Sequence, residues 1–170
     1  MRSDASTVPV LAYLLLGSNL GDRAALLVDG RRELAATAGE IVAASGLYET
    51  AAWGREDQPA FLNQALAVRT WLRPDALLAA CQATEQRAGR QRLEHWGSRT
   101  LDVDILLFGD EIIDTPMLSV PHLRLTERRF ALVPLAEIAG ASRHPQLRET
   151  MENLLRRCPD SLPVLPWLGK

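Results

Sequence analysis

Residues 10–16 form an unbroken apolar run. A run of that length predicts a strand covered on both faces, and Gly17, Ser18 and Asn19 after it supply a turn and a helix cap. From 20 to 38 the apolar residues recur at helical spacing, with Asp22 in the first turn, where a negative charge suits the helix dipole. Residues 40–50 and 61–72 carry β-branched and aromatic side chains and flank a connection containing Gly54 and Pro59. They predict a hairpin with a long loop. Pro74 opens a second amphipathic helix through about residue 87, and Gly89 ends it. Residues 101–108 predict a strand, Gly109 and Asp110 a turn, and 127–139 a further helix. The last stretch, with Pro145, Pro159, Pro163 and Pro166, reads as an appendage around one short helix.

Strand, helix, strand, strand, helix, strand is the order of a ferredoxin-like split βαβ fold. The expected class is therefore α+β, a mostly antiparallel sheet with helices on one face plus a C-terminal helical extension. At 170 residues the chain suits one domain spanning 1–170, with 1–8 and 159–170 expected as loosely ordered ends. Hydrophobic residues at 47% and charged ones at 24% place it in the ordinary globular range.

Charge narrows the chemistry. A net charge of −2 argues against a general nucleic-acid binder, which needs excess cations to displace counterions from phosphates. The only lysine is Lys170, so a Walker-A lysine, a kinase strand lysine and a Schiff-base lysine are all missing from the fold. Phosphate, if handled, falls to arginine. Cys81 and Cys158 have no metal-ligand spacing and are too few for a disulfide framework. No targeting segment is visible and the apolar run near the N-terminus is too short for a membrane span, so the expectation is cytoplasmic.

The strongest local signal is Arg99-Thr100-Leu101-Asp102-Val103-Asp104-Ile105-Leu106-Leu107. In a strand, residues two apart share a face, so Asp102 and Asp104 project together while Leu101, Val103, Ile105 and Leu107 point to the other side. Two carboxylates in one place call for a cation, and magnesium, which uses one or two carboxylates plus substrate phosphates, fits. Arg87, Arg90, Arg92 and Arg99 lie just upstream, and guanidinium groups bind phosphate oxygens as rigid forks. Two bland readings stand beside this one: aspartates on the exposed face of a half-buried strand, and a structural salt-bridge cluster.

The segment His95-Trp96-Gly97-Ser98-Arg99-Thr100-Leu101-Asp102-Val103-Asp104-Ile105-Leu106 resembles the signature of the 6-hydroxymethyl-7,8-dihydropterin pyrophosphokinases. The likeness continues through Gly17-Ser18-Asn19-Leu20, Tyr48, Asp57-Gln58-Pro59-Ala60-Phe61-Leu62-Asn63, Glu85, Gly89-Arg90, Val120-Pro121-His122 and Arg128-Arg129-Phe130. It implies an ATP-dependent diphosphotransferase of folate biosynthesis that passes pyrophosphate to hydroxymethyl-dihydropterin and releases AMP. By the same resemblance, Asp102 and Asp104 hold two Mg2+ ions. Gln82, Arg92, Arg99, His122 and Arg128 hold the triphosphate, Trp96 closes over the site, and Arg90 assists transfer. Phe61 and Phe130 sandwich the pterin, Asn63 and Glu85 are polar positions near it, and Thr50, Ala51 and Trp53 belong to the segment that reads the ring edge. The sequence departs from the family pattern at Ala51-Ala52 and Ser98, where proline is frequent, and at Leu123.

The expected partners are two small molecules, ATP and the pterin, with no nucleic acid and no membrane, and the expected assembly is a monomer. Two rival functions remain in view: another magnesium-dependent kinase or nucleotidyl transferase on the same fold, and a non-catalytic RNA-binding module that stacks bases on a ferredoxin-like sheet.

Overall fold

The computed structural model of the chain describes residues 5–52, 57–89 and 100–169, with side chains from Val8 onward. Its centre is a six-stranded sheet. The elements run β1 (Ala5–Ser18), α1 (Arg23–Thr37), β2 (Glu40–Ala44), β3 (Tyr48–Thr50), β4 (Phe61–Leu72), α2 (Pro74–Arg87) and β5 (Asp102–Phe108). They continue as a small hairpin, β6 (Ile113–Asp114) and β7 (Ser119–Val120), a 3-10 turn Leu125–Glu127, then α3 (Arg129–Ala139), α4 (Met151–Arg156) and β8 (Val164–Pro166). The sheet order is β5-β1-β4-β3-β8, and β2 also pairs with β4. All of these pairings are antiparallel.

The apolar run of β1 is buried on both faces because the two faces serve two cores. Ala12, Leu14 and Leu16 join Leu62, Leu66, Val68, Val103 and Ile105 against Leu27 and Leu34 of α1 and Leu77 and Cys81 of α2. Tyr13 and Leu15 join Ala65, Ala67, Leu106 and Leu107 against Leu132 and Leu135 of α3 and Met151 and Leu154 of α4. Each fully buried leucine contributes about 1.5–3 kcal/mol of transfer free energy, so neither layer is dispensable. The sequence reading placed the helices on one face. Instead α3 and α4 cover the second, because odd-numbered positions of β1 are as apolar as the even ones and need their own cover.

Other local differences have local causes. The predicted strand 40–50 is two strands that share one edge of β4. The break comes at Ser45, which exchanges bonds with Ala65 through its backbone N–H (2.9 Å) and its Oγ (2.9 Å). The cap of α1 is Asp22, whose side chain accepts from Ala25 N–H. Asn19 instead donates to the Pro59 carbonyl at 3.1 Å, tying the turn after β1 to the loop before β4. Leu107 lies in the second core, not opposite the aspartates, because the β1–β5 register slips by one residue between Tyr13 and Leu14 and inserts a bulge at Leu106. The small β6–β7 hairpin carries too few residues to show a period in the sequence.

The C-terminal stretch, expected to be loose, ends in β8, which pairs with β3. Trp167 N–H then donates to the Leu47 carbonyl at 2.8 Å. Among the described residues no helix is long and apolar enough to cross a membrane.

Candidate active site

The site grows out of strand register. On the α3 face, Gly17 of β1 stands between Asp102 of β5 and Asn63 of β4, and Leu15 stands beside Asp104. One strand further, Thr50 of β3 pairs with Phe61. Alternation along β4 puts Phe61 and Asn63 on one face, so a row of chemistry-bearing side chains crosses the sheet from its β5 edge toward β3. Gly17 lets that row close up: a Cβ there would lie 3.0 Å from Asn63 Oδ1 and 3.6 Å from Phe61 Cδ1. Asn63 is buried and its Nδ2 donates to Thr50 Oγ1 at 2.9 Å, which fixes the amide against the floor.

Above this floor lies a cavity of about 510 Å³. It is lined on the acidic side by Asp102 and Asp104, on the ring side by Phe61, Asn63, Thr50, Ala51 and Phe130, and by the cationic and imidazole groups Arg124, Arg128 and His122. Arg128 occupies the N-cap position of α3 and its guanidinium lies 5.7 Å from the Phe130 ring centroid. The cavity also turns around the β5 edge, where Leu78 of α2, Ile105, Met117, Leu118 and Ser119 line it. Among the described residues β5 is terminal in the sheet, and none of their strands blocks that passage.

Electrostatics follow from this packing. His122 is held near pKa 4, first by burial and then by Arg128, with Arg124 adding to the effect and Asp102 opposing it. Its Nδ1 accepts from Arg124 N–H at 3.2 Å, so the neutral ring carries its proton on Nε2 and is a hydrogen-bond donor. Among the described residues no group of three or more His, Cys, Asp or Glu side chains clusters as a metal cage. The donor set at Asp102 and Asp104 is two carboxylates, which suits a hard cation that completes its shell with water and phosphate oxygens.

The family profile of 7,8-dihydro-6-hydroxymethylpterin-pyrophosphokinase matches residues 13–140. The chain belongs to this family. Among its relatives, the 2-amino-4-hydroxy-6-hydroxymethyldihydropteridine pyrophosphokinase of Methylorubrum extorquens is 47% identical over 129 residues, covering 75% of this chain and 82% of that protein. The enzyme of the same name from Pseudomonas aeruginosa is 45% identical over 152 residues, covering 86% and 91%. The crystal structure of Plasmodium falciparum HPPK-DHPS with pteroate superposes with a TM-score of 0.72 at 18% identity over 92% of this chain. This chain spans 43% of that protein, and the match speaks to fold.

Against this pyrophosphokinase background, the residues expected from sequence divide in three. Thr50, Ala51, Phe61, Asn63, Asp102, Asp104, His122, Arg128 and Phe130 line one cavity. Trp53, Arg90, Arg92, Trp96 and Arg99 lie outside the described residues. Gln82 and Glu85 sit on α2 and are not part of the cavity wall.

Glu85, expected near the ring on family resemblance, is not among the residues that line the cavity. It is buried on the α2 side, where its Oε1 accepts from Val103 N–H at 2.9 Å, holding the strand between the two aspartates. Its charge, with that of Asp104, adds to the burial that pushes the Cys81 thiol up to about 12.

Sequence reasoning missed Gly17 as a floor residue, Gln58 and Arg124 as wall residues, and the apolar end at Leu78, Ile105, Met117 and Leu118. Gly17 and Gln58 belong to the Gly17-Ser18-Asn19-Leu20 and Asp57-Gln58-Pro59 segments that carry the family resemblance. The apolar end has no polar signature, and only the fold assembles it.

Proposed function

We propose that this protein transfers the β,γ-pyrophosphoryl unit of ATP to the hydroxymethyl oxygen of 6-hydroxymethyl-7,8-dihydropterin, acting as one domain over its 170 residues. The strand order β5-β1-β4-β3 with α1 and α2 on one face supports a ferredoxin-like split βαβ core for it. The observation that carries the functional reading is the register that sets Asp102 and Asn63 on either side of Gly17. A metal–phosphate site and a flat-ring site thereby share one cavity, one strand apart.

In this reading the pterin lies between Phe61 and Phe130, and Asn63, Thr50 and the backbone near Ala51 read its hydrogen-bonding edge. The purine of ATP takes the apolar end at Leu78, Ile105 and Leu118, and the triphosphate crosses the β5 edge toward Arg128 and His122. Asp102 and Asp104 would hold two magnesium ions, which supply charge neutralisation on the phosphate oxygens.

The chain's own contribution is positioning. Arg128 and the neutral Nε2–H of His122 orient the phosphates, the aromatic walls aim the hydroxymethyl group, and its oxygen attacks the β-phosphorus in line while AMP leaves. Arg90, Arg92 and Arg99 are assigned to the same phosphates, Trp53 to the ring edge, Trp96 to closure and Gln82 to the triphosphate on family resemblance. The site of action is the cytoplasm, in keeping with unpaired Cys81 and Cys158.

Incubation of the purified protein with ATP, magnesium and the hydroxymethyl-dihydropterin should yield AMP and the pterin diphosphate in equal amounts. ADP as the main nucleotide product would overturn the assignment in favour of an ordinary kinase.

A further inference from the structure

β3 is three residues long, yet it carries Thr50 to the ring end of the cavity and delivers the chain directly into Ala51 and Ala52, which also line it. A strand that short, paired on one side only, opens readily. Here it is paired on both sides. Val164 stands opposite Thr50, Leu165 opposite Glu49 and Pro166 opposite Tyr48. The segment is pinned beyond the strand by Trp167, whose N–H donates to the Leu47 carbonyl at 2.8 Å and whose side chain packs against the core formed by α1 and α2. β3 is further tied by Tyr48, whose hydroxyl donates to Glu137 of α3 at 2.6 Å, and by Glu49, which pairs with Arg23 at 2.7 Å.

These residues lie past position 140, where the match to the family profile ends. We propose that Val164–Pro166 and Trp167 form a positioning strap for the flat-ring half of the site. By turning β3 from an edge strand into an interior one, the strap holds the Thr50–Asn63 pair and the start of the loop after it in the geometry that grips the heteroaromatic ring. Among the described residues β8 pairs with β3 and not with β5, the strand that carries Asp102 and Asp104. This inference rests on the pyrophosphokinase reading of the cavity.

The test compares the full chain, a chain ending at Pro163, and Leu165→Pro. The last removes the ladder donor opposite Glu49 from a side chain that is 60% exposed and so disturbs little packing. Two affinities are measured by calorimetry: that of α,β-methylene-ATP with magnesium, and that of 6-hydroxymethyl-7,8-dihydropterin in the presence of that analogue. The strap predicts about tenfold weaker ring binding in both variants, nucleotide affinity within about twofold of the parent, and a cooperative thermal transition. Unchanged ring affinity in folded Leu165→Pro would overturn the proposal. Parallel loss of both ligands would do the same, marking the segment as a general stabiliser. Absence of ring binding in the unaltered protein would instead sink the functional reading, and is told apart by the parent control.

Discussion

Replacing Gly17 with alanine tests the floor of the site with a single methyl group. The added Cβ would lie 3.0 Å from Asn63 Oδ1, 3.6 Å from Phe61 Cδ1 and 3.9 Å from the Leu62 carbonyl oxygen, so one contact is too tight and two are ordinary. The tight one must be relieved by Asn63, because residue 17 sits in the ladder with partners on both sides. Asn63 cannot yield without cost: it is 3% exposed and donates to Thr50 Oγ1 at 2.9 Å. A shift of a few tenths of an ångström weakens that bond, worth about 0.5–1.5 kcal/mol, and misaligns the amide toward the ring edge, where an imperfect partner costs about 1–3 kcal/mol. The first loss falls on the free and bound protein alike; the second, at about 2 kcal/mol, is roughly 30-fold in ring affinity.

Folding should hardly register the change, since alanine regains about 0.5–1 kcal/mol of backbone entropy against a comparable packing cost. The assay is calorimetric titration of the hydroxymethyl-dihydropterin into protein saturated with α,β-methylene-ATP and magnesium. Ring affinity within threefold of the parent, with the fold intact, would refute the claim that the Gly17–Asn63 contact sets the floor.

Asp102→Asn and Asp104→Asn should each abolish magnesium-dependent uptake of ATP in calorimetry while leaving the melting transition within a few degrees, because both side chains face the cavity and not a core; unfolding of either would support a structural role. Glu85→Leu leaves the Val103 N–H buried without its acceptor and should cost about 1–3 kcal/mol in chemical denaturation, whereas Glu85→Gln keeps an acceptor oxygen and should recover most of it. Equal losses in the two variants would mean that charge, not the hydrogen bond, is what matters.

His122 has its pKa lowered from 6.5 to about 4, so below pH 6.5 the unfolded chain binds a proton that the folded one refuses. The associated stability is fully present above pH 6.5 and is lost as pH falls toward 4. Compared with His122→Asn, the metal-free protein should therefore lose about 2 kcal/mol more between pH 7.5 and 4.5, and parallel pH profiles would contradict the burial argument.

Much of this was legible in the sequence because the signals were local. Pro74 and Gly89 bracket α2 closely, and the i, i+2 spacing of Asp102 and Asp104 was enough to put both carboxylates on one face. What stayed hidden depends on pairings between distant segments. The odd-numbered residues of β1 were read as covered without a partner in view, and only the packing of α3 and α4 supplies one. Glu85 looks like any helical glutamate until β5 is laid beside α2. The bulge at Leu106 is set by registry with β1 and has no glycine or proline to announce it.

The placement of the aspartates on a terminal strand has a physical reason. Two adjacent carboxylates deep in a sheet would carry a desolvation penalty of several kcal/mol each before any cation arrived. On β5 both remain partly exposed, and in the proposed reading the same edge would give a phosphate chain room to pass from the apolar pocket on the α2 side to the cationic wall on the α3 side. That wall keeps a steady charge. Burial, and after it the field of Arg128 and Arg124, lowers the His122 pKa to about 4. Across the neutral range the imidazole thus contributes a donor of constant charge, and in the proposed reading the attraction for phosphate falls to guanidinium forks, since the only lysine is Lys170.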